Sequence, residues 1–383
     1  MQPATIPMDQ AADALMTSTG ACTDLPKQDG EWPRTGGGDT FRAGEALPCD
    51  EHLPREAAAT AMSSDAASAV DPRVREAELN HRLLLDREGR QFVPVAGSRW
   101  GELILSAPGE AEGAGTGGLR VVMFASYEFG YLALEAVKAY ARRFPGRLQL
   151  VGLATDDPMN AEARIGLKKR IWKHVSREEV VAIETAVVEA ALGVGAPAFT
   201  GEIKTAGFHA VLDSWRPDAI MSCVFGQVID ATIIERPPYG IYNFHPTDLA
   251  HGFGAGPTPA EDLAAAGMMS TVWTIHHVIE AVDAGGVVAV SPHINIADRH
   301  GGLPTDPLIV YDKLLDPVGY IAASLVDALW RRFAAGRPGK LDHLDVEAAL
   351  PAAVKSRLQE PIRAERHTIT LPVFDPAHLE SFA

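Results

Sequence analysis

The chain has few cysteines, no long apolar run and too few basic residues to balance its acidic ones. Its 383 residues include three cysteines, Cys22, Cys49 and Cys223, whose spacing matches neither a disulfide framework nor a CxxC metal site. This usage is typical of a reducing compartment. No apolar run approaches the roughly 18 residues of a membrane-spanning helix, and the N-terminus lacks a basic segment followed by an apolar one. We therefore expect a cytoplasmic protein with no membrane association.

The charge balance excludes a further class of partner. The sequence has 34 basic and 50 acidic residues, a formal net charge of −16. Proteins that bind nucleic acid through its phosphates usually carry a basic surplus or patch. With 46% hydrophobic and 22% charged residues, the composition is that of a globular protein with a sizeable core. We expect a small-molecule partner and no nucleic acid.

Composition divides the chain into four parts. Residues 1–73 are rich in Gly, Pro, Ala, Ser and Asp without a sustained apolar period, and we expect a disordered or loosely attached extension. Residues 74–118 predict a short β-rich segment and the linker "APGEAEGAGTGG". Residues 119–300 predict the main folded domain, and residues 301–383 a helical closure and a C-terminal tail.

Short apolar runs alternate with helical segments from Leu119 onward. "LRVVMFAS", "LQLVGLAT", "PDAIMSCVF" and "YGIYNFH" are such runs, separated by segments with helical spacing such as "REEVVAIETAVVEAAL". This pattern predicts a doubly wound α/β fold whose mainly parallel sheet is covered on both faces. We also expect "GGVVAVSPHINI" to form a pair of strands. We expect a closing helix whose apolar face is formed by Ile321, Leu325, Ala328 and Leu329.

Two sites common in this fold class lack their motifs. The dinucleotide fingerprint needs glycines after the first strand, whereas "GTGG" precedes it and "ASYEFG" follows it. Gly252, Gly254 and Gly256 have GxGxG spacing, but no evident helix start with an acidic residue at the right distance follows them. Histidines crowd the second half of the chain, but none forms HExxH or a structural zinc spacing. We expect neither a dinucleotide nor a required metal.

The stretch "GIYNFHPTDLAHGFGAGP" places Asn243 and His245 at the predicted end of a strand, where doubly wound sheets bind ligands. Residues i and i+2 of a strand share a face, so the amide and the imidazole project together. Such a pair can stabilise an oxygen on which negative charge develops. A carboxylate would orient the imidazole and carry protons, and Asp283, followed by Ala-Gly-Gly, is the candidate. The alternative is that Asn243 and His245 only form a turn.

These segments resemble the folate-dependent formyltransferase family from roughly Leu119 to Ile296. In "NFHPTDLAHGFGAGP", Asn243 and His245 match the family's Asn-x-His, and "GAGP" matches its Gly-Ala-x-Pro close. "TIHHVIEAVDAGG" is similar to the family's Thr-Val-His and Asp-x-Gly elements, and "PDAIMSCVFGQVI" to its Pro-Asp strand and folate-contacting loop. The matching residues of the second segment are Thr274, His276, Asp283 and Gly285.

The resemblance implies a formyltransferase-type Rossmann-like catalytic domain over residues 119–300. It implies formyl transfer from 10-formyltetrahydrofolate to an amine of a small-molecule acceptor. Asn243 and His245 would stabilise the tetrahedral intermediate, and Asp283 would relay protons. A homodimer is left open. The residues implied to contact the folate are Phe225, Gly226, Gln227, Val228, Ile229, Ile279, Glu280 and Val282.

The chain departs from both familiar branches of that family. Phe253 occupies a position that is Arg in the branch formylating initiator methionyl-tRNA, and we expect neither that branch's C-terminal barrel nor its basic surface. The glycinamide ribonucleotide branch has a phosphate loop where this chain has Ser126 to Phe129, and the carboxylate of Glu128 would repel phosphate. We expect neither acceptor. The alternatives to a transferase are a hydrolase that admits water, a lyase-like relative and a non-catalytic folate-binding protein.

Overall fold

The structure is a computed structural model, and it describes residues 89–98, 101–107, 109, 117–156, 171–256, 259–365 and 371–383. The extension expected over residues 1–73 lies outside the described residues, as does Pro257 of the glycine-rich motif. The proposed domain boundaries stay a prediction. Within the described part, no helix combines the length and the apolar character needed to cross a bilayer.

Nine strands form one sheet, and two more form a small second sheet. The larger sheet has the order β1-β2-β5-β4-β3-β6-β7-β9-β10, and β11 pairs with β8. The strands are β1 Gln91–Pro94, β2 Glu102–Leu105, β3 Leu119–Ala125, β4 Leu148–Thr155, β5 Ala198–Thr200, β6 Ala219–Cys223, β7 Ile241–His245, β8 Ser270–Thr271, β9 Thr274–His277, β10 Val287–Val290 and β11 Ile294–Asn295.

The predicted doubly wound sheet is confirmed in its five central strands. β5, β4, β3, β6 and β7 run parallel to one another. Antiparallel pairs extend both edges, β1 and β2 beyond β5 and β9 and β10 beyond β7. The carboxyl ends of the central strands therefore open onto one edge of the sheet, where such folds bind ligands.

Helices cover both faces of this sheet. The α-helices are α1 Tyr127–Arg143, α2 Arg177–Leu192, α3 Ala206–Trp215, α4 Ala231–Ile234, α5 Pro259–Ala265, α6 Pro307–Leu315, α7 Val318–Ala334, α8 Val346–Ala349 and α9 Ala352–Gln359. Short 3₁₀ helices span Ile171–His174, Leu249–His251 and Pro376–Phe382. α2 begins with a capping box in which the Ser176 side chain accepts from the backbone N–H of Glu179 and the Glu179 side chain accepts from that of Ser176.

Two hydrophobic cores flank the sheet. The first core contains the buried faces of α1, α2, α6 and α7, and the second contains those of α3 and α4. Along β3, Val121 and Met123 contribute to the first core while Val122 and Phe124 contribute to the second. Because a central strand is covered on both faces, its sequence is a continuous apolar run and does not alternate between apolar and polar residues.

The two strands expected within "GGVVAVSPHINI" are present as β10 and β11, but they do not pair with each other. β10 pairs with β9 and β11 pairs with β8. The two strands thus pair with successive strands of an earlier segment and not with each other. The connection between them is Ser-Pro-His, which lacks the Gly or Asn residues of a tight hairpin turn. Pro292 also has no backbone N–H to donate to a ladder.

The predicted helical closure is divided between α6 and α7, which are separated at Asp316 and Pro317. A proline fits the start of a helix but not its interior, which explains the break. Ile321, Leu325 and Leu329 are fully buried as expected, whereas Ala328 is only half-buried.

Candidate active site

A cleft of about 300 Å³ opens at the carboxyl ends of β6 and β7. Asn243 and His245 on β7, His276 on β9 and Asp283 in the β9–β10 loop all line it. The sheet register explains part of this convergence, because Asn243 lies directly opposite His276 in the antiparallel pair of β7 and β9. The structure thus brings together the three residues predicted to be catalytic and adds a second histidine.

The Asn243 amide contacts the ring of His276. Asn243 Nδ2 lies 3.1 Å from His276 Nε2, and His276 Nδ1 lies 2.9 Å from the carbonyl oxygen of His277. Since a carbonyl only accepts, Nδ1 carries the hydrogen. Burial lowers the pKa of His276, which favours the neutral ring. Nε2 then accepts from Asn243, which fixes the amide orientation and leaves its second hydrogen for a ligand.

His245 is buried and is held by the glycine-rich loop that follows β7. Its Nε2 donates to the carbonyl oxygen of Gly254 over 2.7 Å, so this nitrogen carries a hydrogen. Gly254 has a φ of 60°, and a Cβ there would come within 2.7 Å of the Thr247 side chain. Gly254 therefore lets the loop backbone approach Thr247 closely and places its carbonyl on His245.

The Asp283 carboxylate lies between the two imidazole rings. Its Oδ2 accepts from the backbone N–H of Gly256 at 3.1 Å and lies 3.8 Å from His245 Nδ1. Its Oδ1 lies 3.6 Å from His276 Nε2. Both imidazole distances exceed a direct hydrogen bond but lie within the range of an ion pair with a protonated ring.

The backbone around Asp283 has an unusual conformation. Asp283 has a φ of 54°, a left-handed value that Asp and Asn tolerate better than most side chains. A Cβ at Gly285 would lie 1.7 Å from the His277 carbonyl oxygen, so only glycine lets the loop return this closely to β9. The "DAGG" sequence thus fixes where the carboxylate sits.

Seven of the eight residues predicted to contact a folate line the cleft. They come from the loop after β6 and from the β9–β10 loop: Phe225, Gly226, Gln227, Val228, Ile229, Ile279 and Val282. Glu280 is exposed and does not line the cleft. Val228, Ile279 and Val282 are large exposed apolar residues, at 48%, 39% and 62% of their surface.

Asp156 is a site residue that the sequence interpretation missed. It follows β4 directly, is fully buried, and accepts from the backbone N–H of Gly226 at 3.0 Å and 2.8 Å with its two oxygens. Gln227 fixes the same loop, since its Nε2 donates to the Gly201 carbonyl and its Oε1 accepts from the Ile203 N–H. The position of Asp156 at the carboxyl end of a central strand was the available signal.

Glu184 on α2 is a second residue that the sequence did not reveal. Its fully buried carboxyl accepts from Ser126 Oγ at 2.6 Å and from Thr155 Oγ1 at 2.7 Å. It also lies 3.4 Å from the backbone nitrogen of Tyr127 at the start of α1. Burial raises its pKa to about 8, against the three hydrogen bonds that lower it.

Glu184→Gln is expected to change how stability depends on pH. Between an unfolded pKa of about 4.5 and a folded one of about 8, the folded state keeps a proton that the unfolded chain releases. The stability contributed by the protonated carboxyl is therefore full below pH 4.5 and is lost as pH rises toward 8, on the order of 1 kcal/mol per pH unit.

Urea unfolding at pH 5, 6.5 and 8 measures this effect. As pH rises, the free energy of unfolding of the wild type should fall relative to that of Glu184→Gln. Relative to Glu235→Gln, which changes an exposed carboxyl, the wild type should show no such trend. A constant free-energy difference between wild type and Glu184→Gln across this range contradicts the assignment.

His276 is expected to be neutral at neutral pH. Its pKa lies below 6.5 because burial outweighs the attraction of Asp283. As pH falls through that pKa, Nε2 gains a hydrogen and faces the Asn243 donor, so the amide loses its partner. NMR titration of the ring Cε1–H, assigned with His276→Gln, should give a midpoint below 6.5. A midpoint at or above 6.5 contradicts the lowering of this pKa by burial.

Comparisons with known proteins match the segment that contains most of the residues lining this cleft. Residues 168–301 match the family model described as "Formyl transferase". A methionyl-tRNA formyltransferase from Methylobacillus flagellatus is 33% identical over 119 residues, covering 30% of this chain and 38% of the relative. One from Roseiflexus castenholzii is 29% identical over 172 residues, covering 45% and 48%. The chain thus spans about half or less of the length of these relatives.

Solved structures that are similar to part of this chain have low sequence identity to it. Glycinamide ribonucleotide transformylase 1 from Geobacillus kaustophilus is 20% identical with a TM-score of 0.40, covering 56% of this chain and 99% of that one. Formyltetrahydrofolate deformylase from Burkholderia mallei is 16% identical with a TM-score of 0.37, covering 56% and 66%.

Proposed function

We propose that this chain, as a member of the folate-dependent formyltransferase family, transfers a formyl group from 10-formyltetrahydrofolate to the amine of a small-molecule acceptor. The observation that carries the proposal is the convergence of Asn243, His245, His276 and Asp283 in one cleft. The folate would lie against the loop after β6 and the β9–β10 loop.

Formyl transfer requires a neutral amine to attack the formyl carbon. A bond forms between the amine nitrogen and that carbon, and the carbonyl electron pair moves onto oxygen to give a tetrahedral intermediate. When the intermediate collapses, the bond to the folate nitrogen breaks and that nitrogen takes a proton. The protein has to stabilise the oxyanion, accept the proton of the amine and deliver one to the leaving nitrogen.

Asn243 is the first donor to the oxyanion. One of its amide hydrogens is bound to His276 Nε2 at 3.1 Å, so the side chain is oriented before the substrate enters. The second hydrogen is free to meet the developing charge. A donor held in place by its neighbour needs no reorganisation during the reaction, which is the basis of this kind of catalysis.

His245 and Asp283 manage the protons. Asp283, whose Oδ2 lies 3.8 Å from His245 Nδ1, would accept the proton of the amine through water. The imidazolium form of His245 would protonate the folate nitrogen as it leaves. Because His245 Nε2 is bound to Gly254 O at 2.7 Å, donation from this nitrogen to the oxyanion requires the bound formyl group to replace that contact.

The test follows tetrahydrofolate release from 10-formyltetrahydrofolate with and without a pooled metabolite extract. We expect release that depends on the extract, and mass spectrometry then identifies the formylated amine. Equal release without any amine would make water the acceptor and the protein a hydrolase. Folate binding without release in either case would contradict the enzymatic proposal.

A further inference from the structure

The loop that follows β6 contains a residue in a strained backbone conformation. We call residues 224–229 the folate-side loop, because the proposed function places the folate against them. Val224, its first residue, lines the cleft and has a φ of 54°, in the left-handed region. A β-branched side chain is an outlier there and persists only where the surrounding structure holds it. The strain thus lies where the chain leaves the sheet and enters the folate side of the cleft.

Hydrogen bonds fix the backbone on both sides of Val224. Before it, the carbonyl oxygen of Cys223 accepts from the Ser126 N–H at 3.3 Å. After it, the Gly226 N–H donates to Asp156, whose two carboxyl oxygens lie at 3.0 Å and 2.8 Å from the nitrogen. Asp156 is fully buried and directly follows β4. The chain can therefore leave the left-handed conformation at Val224 only if one of these two contacts breaks.

Side chains further along the folate-side loop depend on the direction that the strained residue gives to the chain. The Phe225 ring packs on Phe124 at a centroid distance of 5.0 Å. Gln227 donates to the Gly201 carbonyl at 2.8 Å and accepts from the Ile203 N–H at 3.1 Å. The loop therefore has its shape without a ligand. A binding surface that is ordered in advance spends little binding free energy on ordering itself.

We propose that Asp156 is a positioning residue, which acts through Gly226 to keep Val224 left-handed and the folate-side loop in its binding shape before the folate arrives. The inference rests on the proposed function, since it takes this loop to contact the folate. Asp156 itself does not line the cleft, so it affects the folate only through the loop. Without its hydrogen bond, relaxation of Val224 toward an ordinary φ would move the residues that follow it.

A double-mutant cycle of Asp156→Asn and Val224→Gly tests this role. Asn keeps the size of the side chain but has one oxygen in place of two, and we expect the Kd for tetrahydrofolate, measured calorimetrically, to rise at least about tenfold. Glycine adopts left-handed conformations without a penalty, so in the Val224→Gly background Asp156→Asn should raise Kd by less than about threefold. An unchanged Kd in Asp156→Asn, or equal losses in the two backgrounds, overturns the proposal.

Asp230→Asn is the matched control. Asp230 follows the folate-side loop and caps α4, where its Oδ1 accepts from the Ile233 N–H at 2.9 Å. Asn caps helices as well as Asp does, so the Kd for tetrahydrofolate should stay within about twofold of the wild-type value. A loss as large as that of Asp156→Asn would contradict a specific role of Asp156.

Hydrogen exchange separates this inference from the proposed function, because it needs no folate. The Gly226 amide should be protected in the wild type and should exchange at least about tenfold faster in Asp156→Asn, while the Met221 amide within β6 changes little. A wild-type Gly226 amide that exchanges as fast as an exposed one overturns the proposal, even if Asp156→Asn does not fold. If Gly226 behaves as expected but the wild type does not bind tetrahydrofolate, the proposed function fails while the positioning of the loop by Asp156 stands.

Discussion

His245→Ala is expected to lower kcat for formyl transfer by about a hundredfold or more. Losing one donor to a developing oxyanion costs about 2.7–4 kcal/mol of barrier, and His245 is also assigned to protonate the leaving nitrogen. The loop that carries Gly254 should keep its position, because Thr247 Oγ1 still donates to the carbonyls of Phe253 at 2.9 Å and Gly254 at 3.2 Å. Single-turnover tetrahydrofolate release measures the loss, and folate binding should change little.

His251→Ala is the matched control for this prediction. His251 lies in the same loop, but its side chain is 74% exposed and contacts Asp248 at 2.7 Å, away from the cleft. Its removal should leave kcat within about twofold, as is usual for an exposed residue. Near-normal turnover in His245→Ala, or an equal loss of kcat in His251→Ala, would contradict the assignment of His245 as a catalytic residue.

Asp283→Asn is expected to cost a similar factor, about a hundredfold or more in kcat. The substitution is conservative in structure, since Asn tolerates the φ of 54° at this position and its amide oxygen can still accept from the Gly256 N–H. What it removes is the negative charge between the two imidazoles and the ability to take a proton. The loss should therefore appear in kcat, with little change in folate affinity.

Rescue by added carboxylates separates this role from a structural one. If Asp283 relays the proton, the residual activity of Asp283→Asn should rise with added small carboxylates such as acetate or formate, which supply a base from solution. Asp248→Asn, in the loop beside the cleft, is the matched control and should retain near-normal kcat. Normal turnover in Asp283→Asn, or a loss seen only as weaker folate binding, would contradict the relay.

The local part of the site could be predicted from the sequence because it depends on short-range geometry. Asn243 and His245 are two residues apart on one strand, and the two-residue period of a strand puts both into the same cleft. The glycines at 254 and 285 lie where the backbone approaches Thr247 and His277 closely. The motif spacing also indicated Asp283, whose loop is fixed by its own glycines.

The contacts that the sequence could not supply join residues far apart in the chain. His276 becomes the partner of Asn243 only through the register of β7 and β9, and a one-residue slip would turn its side chain to the other face. Glu184 resembles any other carboxylate on an amphipathic helix until α2 packs beneath the ends of β3 and β4. The pairing of β10 with β9 instead of β11 likewise depends on which neighbouring edge is free.

The sequence by itself determined the central sheet, the strand-end position of Asn243 and His245, and the glycines that shape their loops, because these follow from periodicity and local backbone sterics. Only the tertiary structure decided that His276 orients Asn243, that Asp156 holds the Gly226 loop and that Glu184 binds the hydroxyls of Ser126 and Thr155. The reason is physical: hydrogen bonds between buried groups depend on packing distance and desolvation, and neither quantity exists until the helices close over the sheet.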